Sequence, residues 1–222
     1  MERRNSQAYP GRRPDWLSPA NLRAASTALT HNPAMTDPMQ PLSPAAVQAA
    51  PIRPGAAFLL AHPAHFIALG GGAGLSRWAP GTAGTLWAWL AFVAMQRWLS
   101  PTQIFWVVAL SLPLGWWACT VAARNMRVRD PGSIVWDEVA AFWCVLLLVM
   151  PASAMAQLAA FVLFRFFDAV KPGPVAWADQ LFHAADPATD RWAWHKAGAG
   201  IMLDDLVAAA CTLLVIAVWR FW

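Results

Sequence analysis

The chain has 222 residues, of which 58% are hydrophobic and only 13% are charged, and this composition argues against an ordinary soluble protein. Fifteen tryptophans, which are plentiful where chains meet lipid headgroups, predict an integral membrane protein with a formal net charge of +4. The three cysteines lie inside apolar runs without paired spacing, so neither a disulfide framework nor a zinc site is indicated at Cys119, Cys144 and Cys211.

The first 55 residues differ in character from the rest of the chain. They hold nine of the 18 prolines and six arginines but only three acids, with no sustained hydrophobic period. Such a segment cannot bury enough apolar surface to offset chain entropy, so residues 1–55 are predicted to be a disordered basic tail. The favoured interpretation is an extension that lies along anionic lipid, and an organelle transit peptide is the alternative. No nucleic-acid partner is predicted.

Residues 56–222 are predicted to form one all-α domain, a polytopic membrane helix bundle with about four to five membrane-embedded helical segments. A short, broken run at residues 56–69 is expected to lie in the interface. The runs suited to insertion are residues 85–99, 104–123, 139–150, 154–164 and 201–219. The third and fourth are too short alone, and they either cross by including adjoining charged residues or form a re-entrant hairpin that turns at Pro151.

Two adjacent aspartates, Asp204 and Asp205, stand near the start of the last apolar run. A charged residue costs about 2.5 to 3.5 kcal/mol at the centre of a membrane helix, whereas each large aliphatic residue returns only a few tenths. We therefore expect the pair near one face of the bilayer or in a wet cavity, where carboxylates can hold a cation.

The number of membrane crossings predicts which ends of the segments, and so which charged residues, lie on the same side of the membrane. Whether the third and fourth segments cross fully or form a hairpin, the chain returns to the side of the glycine-rich loop before the fifth segment begins. Seven charged residues are thereby expected on one face: Asp137, Glu138, Arg165, Asp168, Lys171, Asp204 and Asp205. Fourteen of the 16 lysines and arginines fall on that side, which the positive-inside rule identifies as cytoplasmic.

Clustered carboxylates repel one another unless a hard cation such as Mg²⁺ neutralises them. Because Mg²⁺ binds carboxylates together with substrate phosphate oxygens, Arg165 and Lys171 are expected to clamp a phosphate beside it. The simpler alternative is that Arg165 pairs with Asp168, while Asp137 and Glu138 complement the dipole of the helix that they begin. The convergence of all the acids favours the metal site.

The stretch GGGAGLSRWAPGTAGT, residues 70–85, lacks the lysine and hydroxyl ending of a P-loop and the strand context of a dinucleotide fingerprint. Two interpretations stay open for it. In the first, Pro80 and Gly81 make a turn and Gly84 lets two helices approach closely. In the second, backbone amides and hydroxyls cradle a phosphate, with Ser76, Gly81, Thr82 and Thr85 as the binding residues.

Four blocks resemble, in the same order, the signature stretches of the phosphatidylglycerophosphatase A family: GAGLSRWAPGTAGTL, GSIVWDEVAAFW, FRFFDAVKPGPVAWAD and GAGIMLDDLVAAA. The resemblance covers most of the chain from His62 to Ala210. It implies a multi-pass enzyme of the bacterial inner membrane that uses Mg²⁺ to convert phosphatidylglycerophosphate into phosphatidylglycerol and phosphate. It also implies that five matching acids are active-site residues: Asp137, Glu138, Asp168, Asp204 and Asp205.

A metal-activated water is the predicted nucleophile, and an aspartyl-phosphate intermediate is the alternative. A cysteine phosphatase is disfavoured because Cys119 and Arg124 are one residue too close for the usual C-x5-R spacing. Two classes of protein other than an enzyme stay open. A cation transporter should hold its acids near mid-membrane and often shows repeated halves, and a non-catalytic anionic-lipid-binding protein leaves the aligned carboxylates unexplained.

Overall fold

The computed structural model describes residues 51–182 and 189–221, and every regular element in these ranges is helical, as predicted. The larger part of the predicted tail, residues 1–50, lies outside the described residues. Two short helices, α1 (Ala56–Ala61) and α2 (Pro63–Ala68), lead into a 3₁₀ segment (Gly70–Leu75). Residues 56–69 thus form short helices, and their place in the membrane interface stays a prediction.

Six further helices complete the described fold: α3 (Pro80–Trp98), α4 (Pro101–Met126), α5 (Trp136–Val149), α6 (Ala154–Val170), α7 (Pro174–Gln180) and α8 (Ala193–Phe221). Proline occupies the first turn of α3, α4 and α7, where its missing N–H removes no helical hydrogen bond. Helix α4 also begins with a capping box, in which Ser100 and Gln103 each accept a hydrogen bond from the other's backbone N–H.

Two of the described helices are long and apolar enough to cross a membrane: α4, and α8 over residues Ala193–Arg220. Helix α5 has 14 residues and is about 21 Å long, which is less than the hydrocarbon thickness of about 30 Å. Helix α6 extends to Val170 and thus includes Arg165 and Asp168, but it still has only 17 residues. The count of four to five membrane segments stays a prediction.

Helix α8 begins eight residues before the apolar run from which its position was predicted, at Ala193 rather than Ile201. Asp204 and Asp205 consequently lie about three turns inside the helix. The first turns contain glycines that lower the apparent hydropathy but allow close packing. A Cβ added at Gly198 would come within 2.2 Å of Thr120 Oγ1 on α4, so this glycine sets the approach of the two helices.

The core centres on α8 and α5. Helix α8 packs against α4, α5, α6 and α7, while α5 packs against α3 and α4. Most of α5 is buried, with Phe142 among the core side chains shared with neighbouring helices. The start of α5 is held by Val135, whose N–H donates to the Ala68 carbonyl at 2.9 Å. This packing places the first turn of α5 against the middle of the bundle.

Large apolar side chains cover much of the outer surface of the described residues. Leu90, Trp98 and Trp219 are more than 60% exposed, and they accompany many other exposed leucines and tryptophans. So many exposed large apolar side chains are typical of a surface that contacts lipid or another protein. Trp98 and Trp219 stand near the ends of α3 and α8.

Candidate active site

Three carboxylates from two helices meet at the centre of the bundle. Asp137 and Glu138 occupy the first turn of α5, and Asp205 projects from α8. One oxygen of each lies within 4.8 Å of the corresponding oxygen of the other two. Glu138 is 9% exposed and Asp205 only 2%, so three carboxyl groups share a space with little access to water. All three can be ionised together only if a positive charge compensates them.

The hydrogen bonds of these acids are incomplete. Four buried carboxylate oxygens accept no hydrogen bond from the described residues: Asp137 Oδ1, Glu138 Oε2, Asp204 Oδ1 and Asp205 Oδ2. Buried polar atoms are nearly always paired, because an unpaired one loses its solvation without compensation. All potential ligands in the group of three are carboxylate oxygens. Mg²⁺ prefers oxygen ligands, whereas other metals bind Cys or His side chains. The residues therefore fit a hard divalent cation.

Arg165 of α6 supplies the nearest positive charge to this group. Its Nη1 atom forms an ion pair with Asp168, lies 3.7 Å from Glu138 Oε1 and donates to Thr85 Oγ1 at 3.4 Å. The simple ion pair between Arg165 and Asp168, three residues apart on one helix, is thus present. The same guanidinium also contacts α5 and α3, so it joins the three helices around the carboxylates.

Gly81 is the point at which α3 approaches the site. A Cβ at this position would lie 2.2 Å from Glu138 Oε1 and 3.1 Å from Arg165 Nη2, so a larger residue would displace the acid or the base. Thr85, one turn later, donates its hydroxyl hydrogen to the Gly81 carbonyl at 2.9 Å. Pro80 and Gly81 begin a helix rather than a turn. Gly84 permits the close approach that its sequence context predicts, because an added Cβ would lie 2.7 Å from Val135 Cβ.

Lys171 connects a second part of the site. It ends α6 with a left-handed backbone conformation, φ +46°, and its Nζ atom donates to Asp204 of α8 at 2.6 Å and to Asp179 of α7. Partial burial by itself favours the neutral amine, but the two carboxylate hydrogen bonds raise the pKa of Lys171 above its ordinary value. The ammonium consequently stays charged at neutral pH and fixes Asp204 in place.

The structure thus brings together most of the predicted site residues, with two exceptions. Ser76 donates its hydroxyl hydrogen to the Trp78 carbonyl at 2.9 Å and so serves its own loop. Thr82 is exposed on α3. Neither side chain makes a contact with the carboxylate group among the described residues. Their predicted role in phosphate binding stays a prediction.

Sequence reasoning missed three charged residues beside Asp204. Asp179 lies within a block that carries the family resemblance, eight residues after Lys171, but it follows no spacing rule that would have singled it out. Arg129 and Asp130 come from the loop between α4 and α5, and their proximity to Asp204 depends on how that loop packs. Only the folded chain brings these residues together.

Comparison with known proteins identifies the family. The family model for phosphatidylglycerophosphatase A matches residues 66–220, which include every acid described above. The chain belongs to the phosphatidylglycerophosphatase A family. Membership makes it an enzyme of the phosphatase class, as predicted, rather than a transporter or a non-catalytic lipid-binding protein. Together with the two apolar helices, it also supports a membrane protein.

The chain is similar to three curated relatives. The chain is 36% identical to phosphatidylglycerophosphatase A of Haemophilus influenzae over 73% of its own length and 92% of the relative's. It is 38% identical to phosphatidylglycerophosphatase A of Escherichia coli, over 67% and 78% of the two chains. A putative phosphatidylinositol-3-phosphatase of Bacteroides thetaiotaomicron is 34% identical, over 70% and 92%. No solved structure matches the chain.

Proposed function

We propose that this protein is a Mg²⁺-dependent lipid phosphatase that hydrolyses phosphatidylglycerophosphate to phosphatidylglycerol and inorganic phosphate. The family supports phosphatidylglycerophosphate as substrate. The observation that carries the metal requirement is the meeting of Asp137, Glu138 and Asp205, with buried oxygens that have no hydrogen-bond donor among the described residues. Each of these oxygens would then be a ligand or would lie next to one.

Phosphoryl transfer depends on positioning and on neutralising the charge of the transferred group more than on covalent chemistry by the protein. Asp137, Glu138 and Asp205 would hold Mg²⁺, which would supply that neutralisation and make water a better nucleophile at neutral pH. The carboxylates contribute by fixing the position of the cation between α5 and α8. Since both helices belong to the packed core, this geometry is held before substrate arrives.

Arg165, beside the group of three carboxylates, is the proposed phosphate-binding residue. Its guanidinium presents several N–H donors in a planar fork that suits two phosphate oxygens at once. Asp168 and Thr85 hold this side chain in place through Nη1, and Gly81 leaves the room for it beside Glu138. Lys171 is not assigned to phosphate binding, because its ammonium already forms ion pairs with Asp179 and Asp204. We propose that it holds these two side chains in place.

Water is the proposed nucleophile. Its oxygen bonds to phosphorus as the bond from phosphorus to the glycerol oxygen breaks. One of its protons passes to the surrounding carboxylates and the leaving oxygen gains a proton, which yields an alcohol and phosphate. A thiol nucleophile is disfavoured because Cys119 is fully buried on α4, and the partly buried Cys144 and Cys211 belong to apolar clusters. We place the site at the cytoplasmic face of the bacterial inner membrane, where the positive-inside rule predicts it.

This function is tested by incubating the purified protein with phosphatidylglycerophosphate in mixed micelles and measuring the inorganic phosphate released. We expect turnover with Mg²⁺, loss of turnover in EDTA and recovery when Mg²⁺ is restored, whereas thiol alkylation of the folded protein should leave turnover intact. Full activity in EDTA would overturn the metal requirement. Absence of phosphate release under every metal condition, from protein that remains folded, would overturn the proposed substrate.

A further inference from the structure

Helix α5 begins without the polar side chain that usually closes the first turn of a helix. Its N-cap residue is Val135, whose side chain makes no capping hydrogen bond. Valine is one of the least favourable N-cap residues, because it has no side-chain oxygen to accept a hydrogen bond. Two of the proposed metal ligands, Asp137 and Glu138, lie in this same turn. The position of the turn must therefore be set by packing.

Val135 is enclosed by the chain segments that precede α4. It is fully buried, and its backbone N–H donates to the Ala68 carbonyl at 2.9 Å. A Cβ added at Gly70 would lie 2.8 Å from Val135 Cγ2, and one added at Gly84 would lie 2.7 Å from Val135 Cβ. Gly70 also has a φ of +56°, which favours glycine by itself. A larger residue at either glycine would push Val135 away.

The glycine-rich segment also contacts the chain that leads into α5. A Cβ added at Gly74 would lie 2.0 Å from the carbonyl oxygen of Ser133, two residues before Val135. The sequence left two roles open for this stretch, close packing and the binding of a phosphate. At Gly70, Gly74 and Gly84 the contacts are packing contacts, and all three are made to residues just before the acids of α5.

A buried histidine fixes α2 to the end of α4. His65 is fully buried, with Nδ1 2.8 Å from the Phe58 carbonyl oxygen and Nε2 2.8 Å from Asn125 Nδ2. A carbonyl oxygen only accepts and an amide nitrogen only donates, so the imidazole is neutral and carries its proton on Nδ1. Asn125 lies in the last turn of α4. Helix α2 is thus attached both to the end of α4, through Asn125, and to the start of α5, through Val135.

We propose that Val135 is a positioning residue for the metal site, because its packing sets where Asp137 and Glu138 lie relative to the acid of α8. The proposal rests on the proposed function, which assigns these acids to Mg²⁺. Val135 has no polar side-chain atom and acts only through the helix that it begins. Since Mg²⁺ demands near-ideal octahedral geometry, a displacement of the first turn of α5 by about 0.5 Å would weaken its binding.

Val135→Ala tests this role, with Val145→Ala as the matched control. Both valines are fully buried, both substitutions remove two methyl groups, and Val145 lies about two turns beyond Glu138 in α5. Both variants should lose thermal stability, because each leaves a cavity. Binding of Mn²⁺ to the full-length protein in detergent is measured by electron paramagnetic resonance. We expect Kd to rise about tenfold in Val135→Ala, as for other residues that orient metal ligands, and to stay within about twofold in Val145→Ala.

The comparison separates positioning from general stability. Equal weakening of Mn²⁺ binding in both variants would make Val135 an ordinary core residue and overturn the proposal. Unchanged binding in a folded Val135→Ala would overturn it as well. Absence of saturable Mn²⁺ binding by the wild type would instead remove the proposed metal site, and this role of Val135 with it.

Asn125→Ala tests the attachment of α2 without changing Val135. It removes the hydrogen bond to His65, and we expect the Kd for Mn²⁺ to rise about threefold. Gln157→Ala is the matched control, because Gln157 and Asn125 are each 8% exposed and Gln157 Oε1 accepts a hydrogen bond from Trp89 Nε1 at 2.7 Å, away from α5. A rise in Asn125→Ala alone supports the proposal even if Val135→Ala does not fold. Equal Kd values in Asn125→Ala and the wild type, or an equal rise in Gln157→Ala, would overturn it.

Discussion

Asp204 and Asp205 are neighbours in the chain but have different surroundings. Asp205 belongs to the group of three carboxylates, whereas Asp204 accepts a hydrogen bond from Lys171 and lines a small pocket with Asp130. A ligand to the cation would contribute directly to the transition state, while a residue that forms an ion pair beside the site acts through the position of its neighbours. The two aspartates should therefore be separable by kinetics.

We predict that Asp205→Asn lowers kcat by at least about a thousandfold, because the amide keeps the shape of the side chain but removes a charge that holds the cation. Asp204→Asn should lower kcat less, by about tenfold, because it weakens the ion pair with Lys171 and leaves the group of three intact. Steady-state phosphate release at saturating Mg²⁺ measures both. Asp190→Asn serves as control, since Asp190 forms a surface ion pair with Lys196 away from the site. Wild-type kcat in Asp205→Asn would contradict the assignment.

A second prediction at this scale concerns the shape of the guanidinium of Arg165. Arg165→Lys keeps the positive charge but loses the planar fork, so contacts to Asp168, Glu138 and a phosphate cannot all be made together. We expect kcat to fall about a hundredfold, with a further fall in Arg165→Gln. Equal activity of the lysine variant and the wild type would show that a positive charge alone is sufficient.

The sequence predicts which residues belong to the site better than it predicts the contacts that they make. Counting the apolar runs predicts the acids of α5, α6 and α8 on one face of the membrane, and the structure brings Asp137, Glu138 and Asp205 within 4.8 Å of one another. The division of work between Asp204 and Asp205 was not predictable, since it depends on the rotation of α8 about its axis. Asp130 escaped notice because its place in the pocket follows from loop packing, which leaves no periodic signal in the sequence.

Helices meet at this site through glycines as much as through charged residues. Gly81 lets α3 lie against Glu138 and Arg165, Gly84 lies against Val135, and Gly198 lets α8 lie against α4. Helix α8 also extends further toward its N-terminus than its hydropathy predicts, because packing stabilises a glycine-containing segment that propensity alone disfavours. The all-helical class was predictable, while these boundaries and approaches were not.

We predict that Gly81→Ala impairs catalysis although alanine favours a helix over glycine by up to about 1 kcal/mol. The added methyl group would displace the Glu138 carboxylate, from which it would be 2.2 Å away, or the Arg165 guanidinium. Phosphate release should fall at least about thirtyfold, with the protein still folded by circular dichroism. Gly132→Ala, where the methyl group meets open space, should behave as the wild type. Unchanged turnover in Gly81→Ala would show that the close approach is not needed for catalysis.

At the scale of the whole molecule, the described site residues come from helices of the core, and we expect catalysis not to require the first 50 residues. The described chain is fixed from its beginning, because the Ile52 N–H donates to the Met126 carbonyl at 2.9 Å at the end of α4. The basic segment before it is predicted to act as an electrostatic tether to anionic lipid. Association with anionic lipid and catalytic turnover should therefore be sensitive to changes in different parts of the chain.

Deletion of residues 1–50 tests this separation. Turnover in neutral detergent micelles should stay within about twofold of the full-length protein, because the contacts of the carboxylate group are retained. Association of the solubilised protein with anionic mixed micelles should weaken at low salt, and the difference should vanish as added salt screens the charges. A truncated protein that is folded but inactive would show that the tail contributes to the site.

The central claim is that Asp137, Glu138 and Asp205 together hold a divalent cation. Binding of Mn²⁺, as a paramagnetic substitute for Mg²⁺, can be counted by electron paramagnetic resonance on the full-length protein in detergent. The account predicts saturable Mn²⁺ binding that Mg²⁺ displaces, that Asp205→Asn and Asp137→Asn abolish or strongly weaken, and that Asp190→Asn leaves unchanged. Binding of equal strength in all three variants, or no saturable binding by the wild type, would contradict it.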